Sequence, residues 1–187
     1  MTSRDFEPSR LDVAAFAKSG GVLGGRWPLS SFLRLTEPRP IALQLPCARE
    51  VVWQARGELR AESQSARSGE AQVWLHVRAS TTAVLECQRC LGPVEVLLVI
   101  ERNFRFVYGE DAAAQLDAES EDDVLALTRA LDLRDLIEDE LLLALPIVPR
   151  HEVCPVPLAS PVADDAVGKT PNPFALLMTL KRAKRPN

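Results

Sequence analysis

From Pro40 to Phe106 apolar and polar residues alternate with a period of two. Ile41, Leu43 and Leu45 alternate with Ala42 and Gln44. Val51, Trp53, Ala55, Gly57 and Leu59 alternate with Gln54, Arg56, Glu58 and Arg60. Val73, Leu75 and Val77 oppose Trp74, His76 and Arg78. Val94, Val96, Leu98 and Ile100 oppose Glu95, Leu97, Val99 and Glu101, and Phe104 and Phe106 extend the run. A strand sends successive side chains to opposite faces, so this pattern predicts half-buried strands. The last run is apolar on much of both faces, which predicts an interior place in the sheet. Residues 63–70 are polar and contain glycine, and Gly92-Pro93 is a turn signal. Connections this short leave no room for crossovers, so the strands are expected in up-and-down antiparallel order.

On either side the period becomes helical or is lost. Residues 1–37 are expected as a helical arm. Leu11, Ala14, Ala15 and Phe16 give part of a stripe that Gly20-Gly21 would end, and Pro28 is placed to start a second short helix with Phe32, Leu33 and Leu35. Glycines 20, 21, 24 and 25 imply a loose link, and Trp27 at its end is expected to pack against the domain. Asp132 suits an N-cap for a helix carrying Leu133, Leu136, Ile137, Leu141 and Ala144 at i, i+3, i+4 spacing, stopped by Pro146. That helix is expected to cover the sheet with Leu136, Ile137, Leu141 and Leu145. Glu138 and Asp139 would then face outward, with Glu140 at the edge. Asn172-Pro173 caps a last helix whose apolar face is Phe174, Leu177, Met178 and Leu180.

The fold class is therefore expected to be α+β, an antiparallel sheet of four to five strands covered by a helix. The arm (1–37) precedes a sheet-and-helix domain (38–150). A segment with a possible metal-ligand loop, a proline-rich stretch and a basic C-terminal helix (151–187) follows. Within the domain, Gly109 to Asp123 carries seven acids and no base, so 109–128 is expected as an acidic linker.

Composition narrows the function. The chain has 187 residues, 47% of them hydrophobic, enough for one domain with a core and appendages. A net charge of −4 and a pI of about 5.3 argue against a generic nucleic-acid coat. Arg4 and Asp5 stand where a signal peptide would need apolar residues, and the longest charge-free apolar run, Leu141 to Pro149, is too short to span a membrane. A cytoplasmic protein is expected. No nucleophile–base pair, phosphate loop or nucleotide fingerprint is visible, so neither an enzyme nor a small-molecule substrate is expected.

The candidate chemistry lies in the four cysteines. Cys87 and Cys90 are spaced C-x-x-C in a turn between two strand patterns. A tight turn lets two thiolates converge on one ion. Two buried thiols packing the turn is the plain alternative. Redox chemistry fits less well, because a reactive dithiol usually has its first cysteine at a helix N-terminus. His151 and Cys154, spaced His-x-x-Cys, can supply two more ligands. Cys47 can substitute, though a lone cysteine in an apolar strand is usually core. Lys181, Arg182, Lys184 and Arg185 form the one dense basic patch. They either complement the last helix's dipole and add solubility or contact a phosphate backbone.

Three stretches carry a resemblance. Leu85 to Leu91 contains Cys-Gln-Arg-Cys-Leu, Asp132 to Pro149 contains Glu-Asp-Glu-Leu-Leu-Leu-Ala-Leu-Pro, and Asn172 to Lys181 reads Asn-Pro-Phe-Ala-Leu-Leu-Met-Thr-Leu-Lys. Together and in this order they resemble the YceD family of bacterial and plastid proteins. The resemblance implies a role in accumulation of large-subunit (23S) ribosomal RNA through its synthesis, processing or stability. It implies as partner a large-subunit rRNA precursor or assembly particle, reached directly or through a protein. It brings no catalytic residues. Many relatives with the C-x-R-C-L hairpin have cysteines directly after the Leu-Pro segment, so it also proposes one zinc on Cys87, Cys90, His151 and Cys154. Phe174 with the basic residues 181, 182, 184 and 185 is the candidate surface for RNA or a partner. An adaptor acting on a ribosomal protein or nuclease, or an unrecognised rRNA-processing enzyme, are the alternatives.

Overall fold

The computed structural model describes residues 6–36, 49–61 and 71–155. Its elements are α1 (Val13–Lys18), β1 (Val22–Pro28), α2 (Leu33–Thr36), β2 (Glu50–Arg60), β3 (Gln72–Glu86), β4 (Pro93–Val107), α3 (Glu110–Glu119), β5 (Asp123–Ala126) and α4 (Leu133–Leu143). These belong to the unit Met1–Cys154. The strand expected at Ile41–Leu45, the turn at 63–70 and the helix from Asn172 lie outside the described residues.

The five strands form one mixed sheet in the order β1-β2-β3-β4-β5. The first three pairings are antiparallel, as the alternation predicted for β2, β3 and β4. The fourth is parallel: Phe104, Arg105, Phe106 and Val107 of β4 face Asp123, Val124, Leu125 and Ala126 of β5. A parallel neighbour needs a crossover of a dozen or more residues, usually a helix. Here α3 supplies it, out of the segment expected to be an acidic linker. The helix buries only Ala113, so it shows almost no apolar stripe. Its helical propensity comes instead from Ala112, Ala113, Ala114, Gln115 and Leu116, with Glu110 and Asp111 at the favourable end of the dipole. The Asp117 carboxylate accepts from Val124 N–H at 3.0 Å and ties helix to strand.

The N-terminal residues also differ from the expected arm. Val22–Pro28, read as a glycine-rich link, is the edge strand β1, paired with β2 from Val22↔Arg56 to Pro28↔Glu50. Pro28 closes this strand; a short 3-10 turn follows at Leu29–Ser31, then α2. Trp27 packs against the domain as expected, stacked on Trp53 with ring centroids 4.2 Å apart. Gly20 takes φ +61° just past α1, a conformation that glycine adopts without strain. At Gly57 a Cβ would lie 2.8 Å from the backbone N and Cα of Ala17. Only a bare Cα lets α1 lie this close on β2.

One sheet face is covered by α1, against β2 and β3, and by α4, against β4. Leu11, Phe16, Val51, Ala55, Leu75, Val77, Leu133, Ile137 and Leu141 are wholly buried there. Asp132 caps α4, accepting from the N–H groups of Arg134 and Asp135 at 2.9 and 3.3 Å. Leu136 and Leu145 are only partly buried. β4 is interior, as expected, yet Leu97 and Val99 on its second face are exposed.

The carboxylates of α4 depart most from expectation. Glu138 and Glu140 are buried, not solvated. Glu138 accepts from the backbone N–H groups of Arg34 and Leu35 at 2.7 and 3.1 Å and from Arg34 Nε at 3.1 Å. It thus fastens α2 to α4. Glu140 accepts from Arg102 Nε at 2.8 Å. Asp139 is exposed, and pairs with Arg34 at the surface. Among the described residues no helix is long and apolar enough to cross a membrane.

Candidate metal centre

The β3–β4 hairpin closes through Cys87 to Gly92. The Cys87 N–H donates to Gly92 O, and the Leu91 N–H donates to Cys87 O, both at 2.8 Å. Leu91 takes φ 58°, a left-handed conformation that costs a residue with a Cβ about 1–2 kcal/mol. The turn therefore keeps a backbone shape that its side chain alone would not choose.

The chain leaving α4 supplies a second arm. The Gln88 N–H donates to Pro149 O at 2.9 Å, which lays residues 150–154 beside the hairpin tip. The His151 N–H reaches Cys87 Sγ at 3.4 Å. His151 Nε2 lies 2.9 Å from Pro93 O. A carbonyl only accepts, so Nε2 carries the hydrogen and Nδ1 keeps its lone pair. Nδ1, the lone-pair nitrogen of the neutral ring, is 3.4 Å from Cys90 Sγ. Cys87 and Cys154 bring their sulfurs to 3.9 Å.

Cys87, Cys90, His151 and Cys154 thus gather four donor atoms, all within 4.8 Å of one another, into a cluster able to hold a metal ion. Its dimensions suit a small tetrahedral cation. Zn–S bonds of about 2.3 Å and Zn–N bonds of about 2.0–2.1 Å imply S···S edges near 3.8 Å and S···N edges near 3.5 Å. The two pairs at 3.9 and 3.4 Å already have those lengths. The backbone carbonyl on the far ring nitrogen of His151 is the orienting contact that ligating histidines usually carry.

The thiols are unequal. Burial opposes ionisation of Cys87, but the backbone N–H groups of His151, Cys90 and Arg89 outweigh it and hold this thiol down to about 5. At Cys90 the Gly92 N–H favours the thiolate, yet burial and the neighbouring Cys154 and Cys87 sulfurs together push it up. The sulfurs resist sharing more negative charge, which a divalent cation would neutralise.

Spacing did not reveal what surrounds the four donor side chains. Arg89 reaches over the cluster: Nε donates to Cys154 Sγ at 3.0 Å, and Nη2 to the carbonyls of His151 and Glu152 at 2.9 and 3.2 Å. The Cys154 sulfur raises the arginine's already high pKa. Three thiolates with a divalent cation would carry one net negative charge, which Arg89 is placed to balance. The sequence signal for this residue is its place between the two cysteines, as the arginine of the C-x-R-C-L hairpin. The Pro93 and Pro149 carbonyls have no signal at all. Cys47, Phe174, Lys181, Arg182, Lys184 and Arg185 lie outside the described residues.

The family model described as "Large ribosomal RNA subunit accumulation protein YceD" matches residues 75–181, more than half of the chain. The chain belongs to the YceD family. The match runs from β3 through both arms of the cysteine–histidine cluster. A curated member named "Large ribosomal RNA subunit accumulation protein YceD", from Haemophilus influenzae, is 39% identical over 103 residues. The alignment covers 52% of this chain and 59% of that relative's length. No solved structure matches the chain.

Proposed function

We propose that this YceD-family chain is a non-catalytic ribosome-assembly factor of the cytoplasm that supports the accumulation of large-subunit rRNA. The carrying observation is the family match, which spans most of the sheet, α4 and the cluster. The role would be exerted on a precursor rRNA or assembly particle, through the RNA's synthesis, processing or stability. We further propose that Cys87, Cys90, His151 and Cys154 hold one zinc ion. Bound there, zinc supplies a structural cross-link between the hairpin tip and the chain after α4. Its support is the donor set, the two tetrahedral edge lengths and the fixed His151 tautomer.

The test is rRNA profiling in a bacterial strain deleted for its YceD-family protein. Large-subunit rRNA should fall relative to small-subunit rRNA and recover when this chain is supplied. An unchanged ratio in the deletion, or no recovery, overturns the reading. Co-sedimentation with large-subunit precursors before and after RNase treatment separates direct RNA contact from a protein adaptor. Direct contact predicts that the association is lost on digestion.

A further inference from the structure

A cleft lies at the end of β4 opposite the cysteine cluster. Between α1 and the ends of β4 and β5 there is an open cleft of about 530 Å³, within the range of ligand sites. Lys18 and Asp12 stand on one side, Tyr108, Thr128 and Arg129 on the other. Tyr108 is the chain's single tyrosine, and it is 77% exposed. An exposed aromatic ring alone is ordinary. Its neighbours are not.

Of the thirteen described arginines, seven have a carboxylate partner: Arg26, Arg34, Arg49, Arg60, Arg78, Arg102 and Arg134. Lys18 and Arg129 form no ion pair among the described residues, and both are exposed. The cleft's carboxylate, Asp12, already caps α1 by accepting from the Ala15 N–H at 3.0 Å. Thr128 Oγ accepts from the Ala130 N–H at 3.2 Å, which leaves its hydroxyl hydrogen free to donate into the cleft. The walls are fixed to each other and to the sheet. Leu11 and Leu131 exchange two backbone hydrogen bonds at 2.8 and 3.0 Å, and the Leu127 N–H donates to Val107 O at 2.7 Å.

We propose that this cleft binds a nucleotide within a single-stranded stretch of RNA, the base stacking on Tyr108 and the flanking phosphates meeting Lys18 and Arg129. Stacking on an open ring face requires a base outside a duplex, and two cations lining the same cleft suit the phosphates flanking that base. The net positive charge of the cleft, on a chain of net charge −4, favours an anionic occupant over a basic ribosomal protein. The choice of RNA rests on the function proposed above.

The experiment is a titration of the full chain with a short, fluorescently labelled single-stranded oligoribonucleotide from large-subunit rRNA. Tyr108→Ala should weaken binding about 5- to 150-fold, the usual value of one base–aromatic stack. Tyr108→Phe keeps the ring face and should bind like the parent. Lys18→Ala and Arg129→Ala should each flatten the salt dependence, by about 0.7 in the log–log slope per lost phosphate contact. Tyr108 is so exposed that its loss should leave the melting temperature unchanged. No binding by the parent chain, an unaltered affinity in Tyr108→Ala, or equal losses in Tyr108→Ala and Tyr108→Phe each overturn the proposal. The deletion strain reads the underlying function separately. If the parent chain restores rRNA while Tyr108→Ala leaves oligoribonucleotide affinity unchanged, the cleft fails and the function stands. If the parent chain binds but restores nothing, the function fails and the cleft stands as an RNA site.

Discussion

Helix α4 offers a comparison in which the same atoms are removed from two places two residues apart. Leu141 is 0% exposed and Leu143 is 73% exposed. Leucine to alanine deletes three carbon groups. At about 0.8 kcal/mol for each buried group, Leu141→Ala loses about 2.4 kcal/mol of transfer free energy, and the cavity left against the sheet adds to it. A total of about 2–5 kcal/mol is expected. In a unit of this size each kcal/mol lowers the melting temperature by about 2–4 °C, so the fall should be roughly 4–20 °C. Leu143→Ala removes nothing from the core and places a strong helix former on an exposed turn, so its change should stay within about 0.5 kcal/mol. Thermal and urea melts followed by far-ultraviolet circular dichroism read both variants. The zinc concentration is held constant so that metal linkage does not enter. Equal shifts for the two, or a Leu141→Ala cost below about 1 kcal/mol, would mean that α4 does not bury this face against β4.

Three further outcomes are expected. Protein purified without chelator should contain about one zinc per chain by elemental analysis, and Cys154→Ser should lose it; a content far below one that Cys87→Ser does not change would refute the site. Gly57→Ala should destabilise by about 1–3 kcal/mol, because the new methyl meets the backbone of Ala17 at 2.8 Å, whereas Gly25→Ala, whose Cβ would meet Trp53 at 3.5 Å, should cost less; equal melts would place α1 farther from β2. Glu138→Ala should cost about 1.5–3 kcal/mol, since it strands the N–H groups of Arg34 and Leu35, while Asp139→Ala removes an exposed pair and should cost about 0–1 kcal/mol; denaturant melts giving the opposite order would refute the fastening of α2 to α4.

Strands β2, β3 and β4, the Asp132 cap and the hairpin position of Cys87 and Cys90 were legible because each is written in neighbouring residues. Alternation marks a pleated face, an acid before an apolar stripe marks a helix start, and Gly-Pro marks a turn. The His-x-x-Cys spacing was compatible with two more donors, and the family resemblance singled out His151 and Cys154. Tertiary structure decided what local pattern does not encode. β1 and β5 are peripheral strands whose place depends on the partner each meets, and their glycines and acids hide them from a periodicity argument. Glu138 belongs to the interior only because Arg34 and Leu35, 104 and 103 positions away, bring three N–H donors to that side of α4. The cluster itself joins Cys87 to Cys154 across 67 positions, and Arg89 is aimed at it by carbonyls of a loop far along the chain. A charge or a ligand is buried according to what meets it in space, and that is settled only once the sheet has brought distant segments together.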